Sequence, residues 1–295
     1  MKKIMIKLNK NILLLLCNII IGQSQYQIIN LPDNLFQLSS NTGLSALIDY
    51  NSTSNPASLI IGNNQSYSFI NYPSDIKFAN FSVQNFSISI LNYGILQDEL
   101  DNTVNKKFNA GDYLLKYYYN KEFENNLRVG VTVGGYYSQI YTYKSFGIIS
   151  SIGINKFFKT KNFGLGFSIE NLGTILQNYT NTNVPLPSRY SLNLYYKYQK
   201  MIFGYNILYY IDDYHIQQIY SLQFNINKNL FLQISNSSYQ NSLSVNDDYK
   251  YLYGFSGGIG FKVKNNLITV GFKNLGKAGS AFGITINRLL NKNFK

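Results

Sequence analysis

Phe163-Gly164-Leu165-Gly166-Phe167-Ser168-Ile169-Glu170 decides how this chain folds. The odd positions are large and apolar and the even positions are small or polar. That period of two belongs to a β-strand with two unlike faces. The same alternation runs through Leu127, Val129, Val131 and Val133, through Phe86, Ile88 and Ile90, and through Tyr190, Leu192, Leu194 and Tyr196. It returns at Phe203, Tyr205, Ile207 and Tyr209, at Tyr220, Leu222, Phe224 and Ile226, and at Leu230, Leu232 and Ile234. The last sets are Ile268, Val270 and Phe272, then Phe282, Ile284 and Ile286. Asn125-Asn126, Lys159-Thr160-Lys161-Asn162, Asn227-Lys228-Asn229 and Lys264-Asn265-Asn266 separate neighbouring runs and are short enough for hairpin turns. Longer polar gaps fall at 97–111, 173–187 and 239–250.

Working outward from these runs gives about fourteen strands: 66–71, 76–83, 85–93, 112–120, 127–138, 145–157, 163–172, 188–198, 202–211, 216–226, 229–238, 251–263, 267–275 and 282–290. Most have about ten residues, the length of a tilted strand crossing a bilayer, and an even count is what single-chain bacterial barrels show. A soluble β-sandwich alternates too, but its outer faces need charge. Here the small-residue face carries Gly, Ser, Asn and Tyr. Tyr117-Tyr118-Tyr119, Tyr136-Tyr137, Tyr195-Tyr196 and Tyr209-Tyr210 sit near strand ends, where amphipathic rings meet a lipid–water interface. The expected fold is therefore all-β, a transmembrane antiparallel barrel.

Composition leads the same way. Charged residues make up 14% of the 295, against about a quarter in a soluble domain. Aromatic residues make up 16%, with 27 Tyr and 20 Phe. Mean hydropathy is nevertheless −0.13, and nothing after residue 22 is apolar for the ~18–20 residues of a spanning helix. A barrel reconciles these facts, because only every second strand residue meets lipid.

The first residues read as an export signal, 1–24. Lys2, Lys3, Lys7 and Lys10 form a basic start, Ile12 to Ile21 form a short apolar run, and Gly22-Gln23-Ser24 supplies small residues for cleavage. Cys17, the sole cysteine, lies within this segment, so the remainder would have no thiol chemistry and no disulfide. Residues 25–65 are polar, rich in Asn and Ser, and lack alternation. They are expected to form a plug in or across the mouth of a barrel built from 66–295. The formal charge of +12 is spread singly, with no basic stripe for nucleic acid. Lipid and lipopolysaccharide of a bacterial outer membrane are the expected surroundings.

Catalytic, cofactor and metal sites are expected to be absent. His215, the single histidine, stands beside Asp212, Asp213 and Tyr214 in a turn, and a triad with Ser221 would still lack an orienting partner. Asp247-Asp248 and Asp98-Glu99-Asp101 follow no calcium-loop spacing. Gly257-Gly258-Ile259-Gly260 lies in an alternating run with no helix behind it, unlike a phosphate loop. Glu170 and Lys273 fall on inward faces and are expected to pair across the lumen.

Several stretches also carry a family resemblance. Asn55-Pro56-Ala57-Ser58-Leu59 looks like the Asn-Pro-Ala element of barrels related to the long-chain fatty-acid transporter. Tyr72-Pro73-Ser74-Asp75-Ile76-Lys77-Phe78, Ser145-Phe146-Gly147-Ile148, Glu170-Asn171-Leu172-Gly173, Leu186-Pro187 leading into Tyr190, and Gly257 to Val263 are similar, in order, to the PorQ family of the type IX secretion system. The resemblance implies a fourteen-stranded barrel. It further implies a non-enzymatic anchor in the cell-surface attachment complex, beside a PorU-like sortase, a PorV-like barrel and a PorZ-like surface protein. The alternative is an outer-membrane transporter for hydrophobic molecules, which would need an apolar path through the lumen. Long loops on a rigid scaffold carry contacts, so Asp98, Glu99, Asp101, Lys106, Lys107, Asp247 and Asp248 are the expected partner-binding residues.

Overall fold

A computed structural model describes residues 26–49, 51–62, 64–97, 107–158, 162–180, 184–212, 214–238 and 252–289. Among them are fourteen strands: β1 (Asn64–Asn71), β2 (Lys77–Val83), β3 (Phe86–Gln97), β4 (Lys107–Phe123), β5 (Leu127–Ile140), β6 (Tyr143–Phe157), β7 (Phe163–Gln177), β8 (Arg189–Tyr198), β9 (Met201–Tyr210), β10 (Ile216–Asn227), β11 (Leu230–Ser237), β12 (Ser256–Val263), β13 (Asn266–Asn274) and β14 (Ser280–Leu289). Each pairs antiparallel with the next, and β1 closes on β14 with Tyr67 opposite Ile286 and Phe69 opposite Ile284. Closure removes the free edges that an open sheet would expose.

The alternation sorts cleanly by face. Ile268, Ile286, Tyr67, Phe81, Ile88 and Leu115 are register partners in turn across six adjacent strands and form one outward row. Five of them are counted among the large exposed apolar side chains, led by Leu115 at 54%. Leu165 and Phe167 are likewise exposed, while Gly166, Ser168 and Glu170 are buried inside. The outer surface is thus a continuous apolar belt, the reverse of a water-soluble shell.

All fourteen strands fall where the alternation puts them, but several ends move. β3 runs on to Gln97 because Tyr93 and Gly94 form a bulge, the register shifting between Asn92 and Ile95. Outward residues are even-numbered before it and Ile95 points out after it, so a strict period of two stops early. β7 behaves alike: a bulge at Glu170-Asn171, with Asn171 at φ 62°, carries the strand to Gln177. In the other direction, Tyr251, Tyr253 and Phe255 imitate a strand start, yet Gly254 at φ +74° makes a turn there and β12 begins at Ser256.

Residues 26–49 and 51–62 lie inside the barrel. Two short helices, α1 (Gln27–Asn30) and α2 (Leu35–Ser39), lead into a run of turns. Asn34 caps α2 by accepting a hydrogen bond from the Gln37 amide. The lumen holds two apolar layers. The first joins Tyr26, Ile28, Leu35 and Leu38 to wall residues Ile70, Phe78, Leu91, Leu114 and Tyr136. The second joins Phe36, Leu44, Ala46 and Leu47 to Phe157, Tyr195 and Ile202 at the other end.

Candidate functional site: the closed lumen and its rim

The inserted segment contains no Lys or Arg; its charges are Asp33 and Asp49. The wall supplies the cations. Lys116 of β4 reaches Asp33 with both carboxylate oxygens 3.1 Å from its ammonium. Thr53 and Tyr118 donate to the same carboxylate at 2.6 and 3.3 Å. Arg128 of β5 donates to the Leu59 carbonyl at 3.2 Å and to the Asn120 side chain at 2.8 Å. Neutral bonds spread around the rest of the wall. The Leu35 amide donates to Thr285, Asn155 to the Ala46 carbonyl, Ser221 to the Ser40 carbonyl, and Asn171 to Asn30. Each buried bond contributes about 1 kcal/mol, so β4 to β7, β10 and β14 all hold the plug.

Close approach explains the small residues of the inner face. A Cβ at Gly153 would stand 2.1 Å from Asn55 Oδ1, and one at Gly130 would stand 2.3 Å from the Pro56 carbonyl carbon. The Asn55-Pro56-Ala57 turn therefore rests directly on the backbone of β5 and β6. Gly166 is equally crowded, with Asn193 Oδ1 2.2 Å from its would-be Cβ.

The connections differ at the two ends. Those at 84–85, 124–126, 199–200, 228–229 and 264–265 are tight turns, and those at 98–106, 178–188 and 238–255 all join strands at the opposite end. Of the residues expected to meet a partner, Lys107 begins β4 opposite Gln97 on that long-loop rim. Asp98, Glu99, Asp101, Lys106, Asp247 and Asp248 lie outside the described residues. His215 sits on the same rim, its carbonyl accepting from the Tyr210 amide at 2.9 Å. Ser221 faces the lumen and gives its proton to Ser40, so the two are not arranged as a nucleophile and base.

Glu170 does point inward, but its partner is a neighbour and not Lys273. Arg189, its register partner on β8, donates at 2.8 Å from Nε, and Nη2 lies 2.7 Å from the carboxylate. Adjacent strands bring these groups together at far lower entropic cost than a span across the lumen. Near the long-loop rim, Asp112 accepts from Tyr93 at 2.7 Å and from Ser138, which also bonds Tyr179. Burial pushes the Tyr179 hydroxyl up to about 12, while its bond with Ser138 opposes the shift. Burial also raises the Asp49 carboxyl above its ordinary range against the pull of Asn51. Arg128 and Arg189 fall on the small-residue face of their alternating runs, whereas no strand pattern places Asp33, Asp112 or Lys116, and none names the partner of any of the five.

Among solved structures the chain is similar to several outer-membrane barrels. A hydrocarbon-channel variant, TodX lacking S2 and S3, aligns with a TM-score of 0.47 at 11% identity, over 80% of this chain and 93% of its own. The Pseudomonas putida toluene transporter TodX aligns with 0.44 at 11%, over 79% and 90%. A Pseudomonas aeruginosa FadL homologue aligns with 0.47 at 10%, over 87% and 98%. No protein-family model and no curated protein matches the sequence.

Proposed function

We propose that this chain is a barrel of a Gram-negative outer membrane that works as an anchor and docking scaffold and performs no chemistry of its own. The filled lumen carries this reading: a segment bonded to eight strands and packed in two apolar layers leaves the rims and the lipid-facing wall as the working surfaces. The resemblance to PorQ supports the cell-surface attachment complex of type IX secretion as the setting. In an even-stranded barrel that begins and ends in the periplasm, β3, β7 and β11 run outward. Their long connections then face the cell exterior, where a PorZ-like or PorU-like partner would dock on 98–106 and 238–255. The test is a pull-down of the tagged protein from detergent-solubilised outer membranes, with and without those loops. Loss of the partner from barrels that stay folded is expected; retention by both deletions would defeat the reading.

A second reading, passage of hydrophobic molecules, has one observation in its favour. The β3 bulge at Tyr93-Gly94 interrupts the β3–β4 ladder beside the apolar layer that includes Leu91 and Leu114, and Tyr93 packs against that layer. The aligned structures are described as hydrocarbon channels, a toluene transporter and a FadL homologue, so the comparisons stand nearer this reading than the anchor. Uptake of a labelled long-chain acid or aromatic hydrocarbon into vesicles holding the barrel separates the two.

A further inference from the structure

We propose that the cavity of about 280 Å³ at the tight-turn mouth of the barrel, between the plug and β10–β14, is a binding site for a compact N-acetylated sugar ring. Its floor is built from buried polar groups. Asn287 is 4% exposed and donates to Asn51 at 2.5 Å, yet its own Oδ1 has no hydrogen-bond partner. Asp49 is a second acceptor, since both bonds from Asn51 fall on Oδ1. Gln223 and Asn225 continue the amide lining and bond each other at 2.8 Å.

The charges narrow the ligand. Lys228 of the tight turn, Lys262 of β12 and Asp49 of the plug all line the cavity, so a bare cation or a bare anion meets both signs. Hydroxyl and amide groups, which donate and accept at once, suit amides and a carboxylate side by side. Leu230, Phe231 and Leu267 add apolar surface to the same cavity, which a sugar ring face or an acetyl methyl covers. An extended peptide advances about 3.3 Å per residue and needs a trough; a cavity of about 280 Å³ admits a compact ring instead. The site holds for either role proposed above.

The full barrel, refolded in a detergent without sugar head groups, is titrated with N,N′-diacetylchitobiose and followed by saturation-transfer NMR and calorimetry. Saturable binding is expected, weakened at least tenfold by L267W, which fills the cavity, and by N225A at its edge. Cellobiose, which lacks the acetamido groups, is expected to bind at least tenfold more weakly. Heat-modifiable migration of both variants shows that they fold. Absence of saturable binding to the parent, undiminished binding to folded L267W, or equal binding of cellobiose would overturn the proposal.

Discussion

Gly130→Ala is a one-methyl change that the plug cannot absorb. In most strands alanine is at least as good as glycine, because it reduces the freedom of the unfolded chain. At this position the new methyl would lie 2.3 Å from the Pro56 carbonyl carbon and 2.5 Å from the Ala57 nitrogen. Carbon atoms rest at about 3.5–4.0 Å, so the Asn55-Pro56-Ala57 turn must move by more than 1 Å. Overpacking of this kind costs about 1–3 kcal/mol. The turn also carries the Pro56 and Leu59 carbonyls, which accept from Asn120 at 3.0 and 2.8 Å and, at Leu59, from Arg128 at 3.2 Å. Weakening these three bonds without breaking them adds about 1–2 kcal/mol together, for a total of about 2–5 kcal/mol. The barrel ladder contains none of them, so the loss falls on the plug. Amide hydrogen exchange over residues 26–62 should accelerate about thirtyfold or more, since 1.4 kcal/mol is a factor of ten, while the strands keep their protection. Gly135→Ala on the same strand is the control, because its nearest neighbour, the Gly147 carbonyl oxygen, is 3.8 Å from the new methyl. Equal plug protection in Gly130→Ala and the parent would refute the reasoning.

Leu165→Arg or Phe167→Arg, both outward, should cost about 2–4 kcal/mol near the midplane in urea unfolding from lipid vesicles; an unchanged midpoint would mean that these faces do not meet lipid. Glu170→Gln leaves Arg189 buried without its carboxylate and should destabilise the barrel by about 3–5 kcal/mol, with Glu170→Gln/Arg189→Met recovering part of the loss in the same assay. His215→Ala should leave partner capture unchanged, whereas a catalytic base would supply a factor of about 10²–10⁴.

Strand number and the lumen face were legible because a wall with two unlike faces imposes a period of two along most of its strands. Legibility stopped where the backbone broke that period. The bulges at Tyr93-Gly94 and Glu170-Asn171 flip the faces, and Gly254 turns a strand-like run into a loop. The site was harder to read for a related reason. Residues 26–62 have no period of their own, since their turns are shaped by the wall they rest on. That Asp33 meets Lys116, or Asn55 meets Gly153, depends on a three-dimensional fit that neither stretch encodes alone.

Conductance across a planar bilayer bears most directly on the claim that the chain closes its own barrel. The intact protein should insert and pass no more current than a sealed membrane, and a variant lacking 26–62 should insert and conduct steadily. Equal conductance from both forms would contradict the account.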